Sequence, residues 1–415
     1  MRVVHVNLSS NGGGAAIAAY RHAEAMKLCG INSCMLVLNG TEDSIVHRYT
    51  PSISSIMFRY YYRVRSSLNY YLAKPKLVWN SGYSGYNLMD NREIRDADVI
   101  YLHNICGLLN YEGLKRLLLT NKLIVLFQHD MEPFTGGCHY SFDCRKYEGK
   151  CLFCEQLNGM KSLSFKNQKY KGKKIKGFKN LLIASPSQWL SNASQSSMIH
   201  KSFSNIVVRN VIDTTLYKPI DKNYAREELG LNPDKRYLLF MACDVNSPYK
   251  GWKYLEGLLK ELNVPNVEGL IIGNITEPIV NLNIVIHKLG FISSDERKVL
   301  VYSAADILVI PSVAENFPNV VIESMACGTP VVGFRTGGIS EQIQHKETGF
   351  LADSFSTESL LEGVNWILNM SCDEMKMISS KAREYVKENC SYQNVLNIHK
   401  KVFDYAQNNN NNHRI

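Results

Sequence analysis

The sequence lacks several features that would place it in common classes of protein. It has no apolar run approaching the roughly 18–20 residues that a membrane-spanning helix needs. Residues 1–6 resemble a strand leading into a glycine loop rather than the apolar centre of a signal peptide. No repeat of short period is evident, and 45% hydrophobic residues are too many for a disordered chain. We therefore expect a globular cytosolic protein whose 11 cysteines are reduced.

Acidic residues are scarce in the first half of the chain. Residues 1–209 hold 27 Lys and Arg against 13 Asp and Glu, a net charge of +14. Residues 210–415 hold 20 and 25, a net charge of −5, which brings the total to +9. A basic half could face nucleic acid, a phosphorylated substrate or a membrane surface. Because no nucleic-acid recognition motif accompanies the charge, we do not expect nucleic acid as a partner.

Eleven short apolar runs are spaced along the chain, with helical stretches between them. They are continuous rather than alternating, which is typical of parallel strands buried on both faces. Strands that alternate with helices predict a doubly wound α/β architecture, and eleven are too many for one ordinary domain. The predicted strands are Val3–Asn7, Cys34–Leu38, Asp98–His103, Leu123–His129, Leu181–Ser185, Ile206–Asn210, Tyr237–Ala242, Gly269–Gly273, Asn283–His287, Ile307–Pro311 and Pro330–Phe334.

The predicted domain boundary lies near residues 210–213, where the sign of the net charge changes. We expect one domain over 1–209, with a cysteine-containing insert at about 134–180. The second domain would cover 210–407, and its last helix could pack back on the first domain. Residues 408–415 begin with an Asn run and are predicted to be a disordered tail. Two such domains would face each other across a cleft lined by the carboxyl ends of their strands.

The stretch 311–332 combines a strand end, a loop and a helix. Pro318 suits the first turn of a helix, and Gly328 suits the position just past its end. Glu315 then lies in the loop before the helix, and Glu323 lies about a turn and a half inside it. Free backbone N–H groups at a helix start suit a diphosphate, and carboxylates can accept hydrogen bonds from sugar and ribose hydroxyls. A Glu near a helix start can equally serve as a complement to the helix dipole.

The spacing of Glu315 and Glu323 within PSVAENFPNVVIESMACGTPVV resembles the E-x₇-E signature of family 4 retaining glycosyltransferases. Further segments resemble that family in the same order along the chain. They are Asn11–Ala15, Ser185–Trp189, Asn210–Asp213 (with Val211 in place of Gly), Lys250–Trp252, Gly290–Phe291, Ala305–Asp306, Gly337–Glu341 and Thr348–Phe350. The resemblance implies the GT-B fold of two Rossmann-like parallel-sheet domains. It also implies sugar transfer from a UDP- or GDP-linked donor, with no catalytic metal and no protein nucleophile.

The resemblance implies roles for individual residues on the donor side. Glu315 would hold hydroxyls of the donor sugar, Glu323 the ribose hydroxyls, and Lys250 would neutralise charge on the departing diphosphate. Gly13 and Gly14 would let the backbone approach the diphosphate closely. The backbone N–H groups expected to bind sugar and diphosphate are those of Asn316, Phe317, Asn319 and Val320. The family usually has an Arg before the Lys, and residues 242–250 contain none. Either another basic residue supplies that charge or the diphosphate is held less tightly.

Two histidines follow predicted strands of the first half, in the pairs His103-Asn104 and His129-Asp130. A lone histidine is more often structural than functional, but carboxyl ends of strands face the ligand in this architecture. By the resemblance, His129 contacts the donor sugar. We expect His103 and Asn104 to lie near the acceptor.

Four cysteines lie within 17 residues, namely Cys138, Cys144, Cys151 and Cys154. The first of them belongs to the motif T-G-G-C-H-Y. Three interpretations stay open, namely a structural tetrathiolate zinc site, reduced thiols without metal, and disulfides. The block resembles an insert in a subset of family 4 enzymes that build bacterial capsule, exopolysaccharide or lipopolysaccharide, including enzymes of the colanic-acid type. That subset implies a lipid-linked or oligosaccharide acceptor.

Residues 161–179 hold eight Lys and no acid, and residues 57–65 mix aromatic residues with Arg. A solvated surface is the plain interpretation, and an anionic membrane surface is the functional one. The sequence thus predicts a glycosyltransferase on the cytoplasmic face of the membrane. Two rivals are a sugar-nucleotide epimerase or hydrolase of the same fold and a non-catalytic nucleotide-sugar-binding protein. Donor turnover measured with and without acceptor distinguishes the three.

Overall fold

A computed structural model describes residues 1–275 and 282–412, with side chains up to residue 406. The strands are β1 (Arg2–Ser9), β2 (Asn32–Asn39), β3 (Val46–Arg48), β4 (Val99–Leu102), β5 (Leu123–Phe127), β6 (Leu181–Ser185), β7 (Asn205–Val207), β8 (Arg236–Asp244), β9 (Val267–Asn274), β10 (Ile286–Gly290), β11 (Ile307–Ile310), β12 (Val331–Phe334) and β13 (Gly349–Ala352). The helices are α1 (Gly14–Leu28), α2 (Ile53–Ala73), α3 (Arg92–Asp96), α4 (Tyr111–Leu118), α5 (Leu163–Ile175), α6 (Gln188–Ser196), α7 (Lys222–Glu228), α8 (Trp252–Glu261), α9 (Asp295–Ala304), α10 (Asn319–Ala326), α11 (Ile339–Gln342), α12 (Thr357–Leu368), α13 (Cys372–Asn389), α14 (Val395–Ile398) and α15 (Lys400–Asn412).

The chain forms two α/β domains, as the fold class predicted from the sequence requires. The first domain consists of Met1–Asn210 together with the chain from Val395 onward, and the second consists of Val211–Asn394. The segment after Val395 belongs to the first domain because α14 and α15 pack against α1 and β5. In that segment, His399 is fully buried, and its ring nitrogens lie 2.9 Å from Tyr101 Oη and 3.0 Å from His22 Nδ1.

The first domain is built on a seven-stranded sheet in the order β3-β2-β1-β4-β5-β6-β7. All of its strand pairs are parallel. The strand order reverses direction between β1 and β4, which makes their carboxyl ends the topological switch point where ligands bind in this architecture. The apolar runs of β1, β4 and β5 are buried along their central residues because helices cover both faces of the sheet.

The second domain is built on a six-stranded parallel sheet in the order β10-β9-β8-β11-β12-β13. Its switch point lies between β8 and β11. One apolar cluster on this sheet brings α9, α10 and α13 together through Val301, Ile322 and Val386. Another packs α8 and α12 on the opposite side through residues such as Leu258 and Val364.

The structure differs from the sequence prediction in a few elements. β3 and β13 were not predicted, because runs of three and four residues are too short to distinguish from loop sequence. The strand predicted at 283–287 lies at Ile286–Gly290. The tail predicted to be disordered from residue 408 instead continues α15 through Asn412, and residues 413–415 lie outside the described chain. Extending a helix that has already formed costs less than starting one, so Asn residues can follow its last turns.

Among the described residues, the structure contains no helix with the length and apolar character needed to cross a bilayer.

Candidate active site

The switch point of the second sheet brings together two charged side chains that the sequence predicted separately. Lys250 follows β8 and Glu315 follows β11, so adjacent parallel strands deliver both residues to the same edge. Lys250 Nζ donates to Glu315 Oε1 at 2.6 Å. The two loops are also joined by their backbones, because the Val313 N–H donates to the Tyr249 carbonyl at 2.8 Å. The ion pair is therefore part of a fixed arrangement of loops.

The Lys250–Glu315 pair lies where charge interactions are strong. The Glu315 side chain is only 11% exposed and that of Lys250 32%. Burial by itself lowers the pKa of Lys250, but the Glu315 carboxylate outweighs burial and holds that pKa above its ordinary value. Lys250 is consequently a cation throughout the physiological pH range, next to the Glu315 carboxylate.

Two positions of the predicted motifs beside this ion pair must be glycine, because a backbone carbonyl oxygen lies where a side chain would begin. Gly251 has φ +68°, and a Cβ there would lie 1.8 Å from the Pro311 carbonyl oxygen. Gly337 has φ +51°, and a Cβ there would lie 2.0 Å from the Glu315 carbonyl oxygen. The Gly338 N–H then donates to that same carbonyl at 3.1 Å. The segments around Lys250 and Gly337 thus hold Glu315 from two sides.

The helix predicted after Glu315 is α10, and Pro318 is its N-cap rather than its first residue. The residues expected to bind sugar and diphosphate lie at its start, where Asn316, Phe317 and Asn319 are buried and Val320 is partly buried. Gly328 follows the helix with φ +78°, as predicted.

Glu323 lies in the second turn of α10 and is held by a residue that no motif indicated. Tyr302 Oη, on α9, donates to Glu323 Oε2 at 2.8 Å, and both side chains are buried. Burial raises the pKa of Tyr302 well above its ordinary value, and the Glu323 carboxylate raises it further, so the phenol keeps its proton. The hydrogen bond fixes one carboxylate oxygen of Glu323.

The glycine-rich loop lies at the switch point of the first sheet. It follows β1 and leads directly into α1, with Gly13 as the N-cap and Gly14 as the first helical residue. Gly12 has φ +85°, and a Cβ placed on Gly12 or Gly13 would meet nothing within 4 Å. The backbone at Gly12 and Gly13 is therefore open where a side chain would stand. The diphosphate contact that the sequence predicts for Gly13 and Gly14 stays a prediction.

His103 and His129 lie beside each other after β4 and β5. His103 Nδ1 and His129 Nε2 are 2.9 Å apart, and His103 Nε2 is 3.0 Å from His5 Nδ1. His103 is buried and both of its ring nitrogens are engaged, so it lies behind His129. Its predicted place near the acceptor stays a prediction. Burial lowers the pKa of His129 to about 4, although the adjacent Asp130 opposes this, so His129 is uncharged at neutral pH.

Asn104 has a role in shaping its own loop. Its N–H donates to Asn7 Oδ1 at 2.8 Å, and its side-chain oxygen accepts from the Cys106 N–H at 3.2 Å. Asn104 therefore connects the loop after β4 to β1. Its predicted place near the acceptor stays a prediction.

The loop after β5 is anchored by two ion pairs from the insert. His139 Nδ1 lies 2.7 Å from Asp130 Oδ2, and burial lowers the pKa of His139 less than Asp130 raises it. Lys171 Nζ forms a fully buried pair with the Glu132 carboxylate and donates to the Glu132 carbonyl at 2.6 Å. Lys171, part of the predicted basic surface, is thus an internal residue that positions the loop carrying His129.

The four clustered cysteines are free thiols in the structure. Burial, together with the neighbouring thiols, raises the pKa of Cys138 and of Cys151 to about 12. Within the described chain, three ligating side chains have atoms within 4.8 Å of one another only at Cys34, His47 and Glu93. As placed, the four sulfurs do not form a tetrathiolate site. The zinc site therefore stays a prediction of the sequence.

The group of Cys34, His47 and Glu93 is also a poor cation site. Glu93 pairs with the Arg2 guanidinium and lies 3.1 Å from His47 Nδ1. A fixed positive charge on the same carboxylate opposes the binding of a metal cation there.

Residues 221–385 match the protein family described as Glycosyl transferases group 1. The D-inositol 3-phosphate glycosyltransferase of Mycobacteroides abscessus is 31% identical over 174 residues, which are 39% of this chain and 38% of that protein. The N-acetyl-alpha-D-glucosaminyl L-malate synthase of Bacillus anthracis is 24% identical over 204 residues, 47% of this chain and 52% of that protein. The chain thus spans about two fifths to one half of the length of these curated relatives.

Among solved structures, Anabaena HepE in complex with UDP and glucose aligns with a TM-score of 0.66 and 17% identity. The alignment covers 98% of this chain and 100% of HepE. The protein therefore has the GT-B fold that the sequence predicted. The family match, residues 221–385, falls within the second domain.

Proposed function

We propose that the protein is a retaining glycosyltransferase that moves a sugar from a UDP- or GDP-sugar onto a lipid-linked glycan in cell-surface polysaccharide biosynthesis. The observation that carries this proposal is the Lys250–Glu315 ion pair at the switch point of the second sheet, before the start of α10. Both residues fall inside the part of the chain that matches group 1 glycosyl transferases. HepE, which shares the fold, was solved with UDP and glucose, and this supports a nucleotide-sugar donor.

The second domain supplies the proposed donor site. Lys250 would stabilise the negative charge that grows on the leaving diphosphate, because a positioned cation in a partly buried site acts strongly on developing charge. Glu315 would accept hydrogen bonds from hydroxyls of the donor sugar, and Glu323 from those of the ribose. The N–H groups near the start of α10, from Asn316 to Val320 with Pro318 excepted, would bind sugar and diphosphate oxygens.

The first domain supplies the remaining contacts of the proposal. The open space at Gly13, at the start of α1, would admit phosphate oxygens, and Gly14 would lie beside them. His129, which is neutral at physiological pH, would contact the donor sugar by a hydrogen bond and not by charge. No side chain is assigned as a nucleophile, since the leaving phosphate would help to take the proton of the acceptor hydroxyl.

A donor screen tests this function directly. The full-length protein is incubated with UDP- and GDP-sugars, and nucleotide release is measured with and without membrane lipid extract as acceptor. Acceptor-dependent release is expected for at least one donor. Release that is equal in both conditions would instead indicate a hydrolase, interconversion of sugars without release an epimerase, and binding without turnover a non-catalytic protein.

Two variants connect the activity to the site. Glu315→Ala and Lys250→Met are each expected to lower kcat by about 10²–10³-fold, the usual cost of one preorganised electrostatic contact to the transition state. Lys253→Met, on the exposed side of α8, removes a nearby positive charge and serves as the control. Near-normal turnover by Glu315→Ala with a native melting curve would show that the site is misassigned.

We extend the proposal to an anionic membrane surface, and α2 supports it. This helix has 21 residues with no Asp or Glu, and only Ser55 and Ala73 are buried. Large apolar side chains recur along it every three or four residues, and each is more than half exposed: Ile53, Met57, Tyr61, Val64, Leu68 and Tyr71. Such a stripe suits the interface of a bilayer. The protein would then work on the cytoplasmic face of the membrane.

The positive charge of the first domain would strengthen binding to an anionic membrane, but two of the eight lysines in residues 161–179 do not contribute to it. Lys171 is internal and Lys174 pairs with Glu112, so neither is a freely exposed charge. Six lysines of the segment are exposed: Lys161, Lys166, Lys169, Lys173, Lys176 and Lys179. Each Lys near an anionic leaflet contributes about 1 kcal/mol.

Flotation with vesicles tests the membrane surface. Replacing Met57, Tyr61 and Val64 by Ser is expected to abolish binding to anionic vesicles, because the apolar stripe is interrupted. Lys169→Glu with Lys173→Glu is expected to weaken binding at least about 25-fold, at 1 kcal/mol for each lost charge. Met377→Ser, an exposed apolar residue of the second domain, is the control. Binding that ignores lipid charge and both sets of variants would contradict the proposal.

A further inference from the structure

A cavity of about 600 Å³ lies in the first domain, at the carboxyl ends of its first three strands. Its lining includes residues of β1, β2, β3, α2 and a loop: Leu8, Asn39, Arg48, Arg59 and Tyr86. The volume is within the range of about 300–1,000 Å³ that is typical of small-molecule sites. The cavity adjoins the glycine-rich loop, because the Ser10 N–H donates to the Asn39 carbonyl at 3.1 Å. The residues used by the proposed function do not line it.

The cavity carries positive charge without a matching negative charge. Arg48 and Arg59 line it, and none of its lining residues is acidic. The described contacts of the two arginines include no ion pair, since it is the backbone N–H of Arg48 that donates to Glu42 Oε1, at 3.0 Å. Two cations that share a cavity without a counter-charge favour an anionic ligand.

Arg59 is the better fixed of the two cations. Its guanidinium lies 4.5 Å from the centre of the Tyr86 ring and donates from Nη1 to Tyr86 Oη. Its Nε is buried and has no hydrogen-bond partner among the described residues. A buried donor without an acceptor costs free energy. A phosphate would remove that cost, because its oxygens match the geometry of the N–H groups of a guanidinium.

We propose that this cavity binds a phosphate group through Arg59 and Arg48. The phosphate is that of the acceptor, and this assignment rests on the proposed function. In that function α2 lies at the membrane surface, and α2 begins two residues after Pro51, which lines the cavity. A lipid-linked acceptor would then bring its phosphate to the cavity from the membrane.

The position of the cavity also limits the length of the acceptor. It adjoins the glycine-rich loop, which the proposed function assigns to the donor diphosphate. The accepting hydroxyl therefore has to lie close to the acceptor phosphate. A sugar joined directly to a phosphate meets that condition, whereas the far end of a long glycan does not.

Titration calorimetry of the full-length protein tests the phosphate site without any assay of activity. The probes are the 1-phosphates of glucose, galactose and N-acetylglucosamine, the matching methyl glycosides, and glycerol 1-phosphate as a mimic of a membrane headgroup. At least one sugar phosphate is expected to bind about tenfold or more tightly than its methyl glycoside, and more tightly than glycerol 1-phosphate. If no sugar phosphate exceeds its methyl glycoside, there is no phosphate site. Glycerol 1-phosphate that binds as tightly as the sugar phosphates would assign the cavity to a lipid headgroup and overturn the acceptor.

Variants locate the bound phosphate. Arg59→Gln is expected to weaken binding of the sugar phosphate about tenfold, the worth of a hydrogen bond to a charged group, and Arg48→Gln should weaken it as well. Arg63→Gln removes the same charge from an exposed position of α2 and is the matched control. Lys250→Met removes the cation of the proposed donor site and should leave this binding unchanged. A loss in Lys250→Met without a loss in Arg59→Gln would place the phosphate in the second domain and overturn the proposal.

Tyr86→Phe separates binding by Arg59 from a purely structural role. This variant removes the hydrogen bond between the two side chains but keeps the guanidinium and the aromatic ring. We expect it to weaken binding of the sugar phosphate less than threefold. Equal losses in Tyr86→Phe and Arg59→Gln would show that Arg59 serves only to hold Tyr86.

Kinetics then test whether the phosphate belongs to the acceptor. Arg59→Gln is expected to raise the KM for the acceptor about tenfold and to leave the KM for the donor unchanged. A rise in the donor KM alone overturns the assignment. If the wild-type protein transfers no sugar, the proposed function fails, and the calorimetry alone decides whether the cavity is a phosphate site.

Discussion

At the scale of single residues, Glu323 shows how a predicted carboxylate depends on an unpredicted partner. Tyr302 donates to Glu323 Oε2 at 2.8 Å and also lies 3.2 Å from Met241 Sδ. Because the phenol is buried and uncharged, it holds one carboxylate oxygen still and leaves the other to the remaining contacts of Glu323. In the proposed function, the position at which Glu323 would meet the ribose therefore depends on Tyr302.

Tyr302→Phe is expected to raise the KM for the donor about fivefold and to change kcat little. The variant removes one hydrogen bond to Glu323, worth about 1 kcal/mol. In the proposed function Glu323 would bind the ribose, away from the reacting bond. Steady-state kinetics with varied donor concentration measure the change. A loss confined to kcat would show that Glu323 acts on the reaction itself.

Residue identities could be predicted only where a local pattern contained them. The spacing of Glu315 and Glu323 is visible within one loop and helix, and the Lys-Gly pair at 250 is visible within another. Tyr302 has no such mark, because its partner lies 21 residues away and reaches it through the packing of α9 on α10. The burial of His103 could not be predicted either, because it depends on His5 and His129, which come from other strands.

At the scale of elements, a glycine allows the loops after β8 and β11 to approach each other closely. Gly251 allows the start of α8 to approach the Pro311 carbonyl, and this approach brings Lys250 to Glu315. Gly290 has a similar φ of +67°, but a Cβ there would meet nothing within 4 Å. Substitutions at these two glycines therefore distinguish the cost of a close backbone approach from the cost of backbone strain alone.

Gly251→Ala is expected to destabilise the protein more than Gly290→Ala does. Gly290→Ala costs only the strain of a left-handed backbone, about 1 kcal/mol, whereas Gly251→Ala adds a collision with a backbone oxygen and should cost several times as much. Gly251→Ala should also lose activity, since Lys250 is displaced. Chemical unfolding and kinetics measure both effects. Equal unfolding free energies for the two variants would contradict the role given to the close approach.

Whether a strand could be predicted depended on the length of its apolar run. Continuous Val, Ile and Leu runs of five or more residues located most strands within one or two residues, because burial on both faces leaves a clear pattern. β3 and β13 have three and four residues and leave almost none. The spacing of the four clustered cysteines left three interpretations open, namely a zinc site, free thiols and disulfides. In the structure they are free.

The predicted zinc can be settled by metal analysis. A protein purified without chelators is expected to contain about one zinc per chain if the sequence prediction is correct. That metal should disappear in Cys138→Ser and Cys154→Ser, while Cys372→Ser, an exposed thiol outside the cluster, is the control. If the wild-type protein contains no metal, the zinc prediction is wrong and the four cysteines are free thiols, as in the structure.

At the scale of the whole molecule, buried histidines determine how stability depends on pH. Six of them have pKa values lowered by burial, to well below the ordinary value or to between about 3 and 4: His5, His22, His103, His129, His200 and His399. In the unfolded chain, each returns to an ordinary pKa of about 6.5. Below that pH the unfolded state binds more protons than the folded state, so stability falls as the pH falls.

Stability is therefore expected to be greatest above about pH 6.5 and to decline between pH 6.5 and pH 4. Each fully buried histidine contributes a loss on the order of 1–2 kcal/mol at pH 5. Urea unfolding at pH 7.5, 6 and 5, followed by tryptophan fluorescence, measures this decline. An unfolding midpoint that does not change between pH 7.5 and pH 5 would contradict the buried, neutral state of these rings.

The sequence by itself determined the α/β class, most of the strands and the carboxylates around α10. Each of these depends on residues close together in the chain, whose spacing reports burial or helical geometry directly. Only the tertiary structure decided that Lys250 meets Glu315, that Tyr302 holds Glu323 and that His103 lies behind His129. It also decided that His399 and the last helices belong to the first domain. These contacts join segments that are distant in the chain. The packing of parallel strands and their helices brings the segments together, and no local sequence pattern encodes that packing.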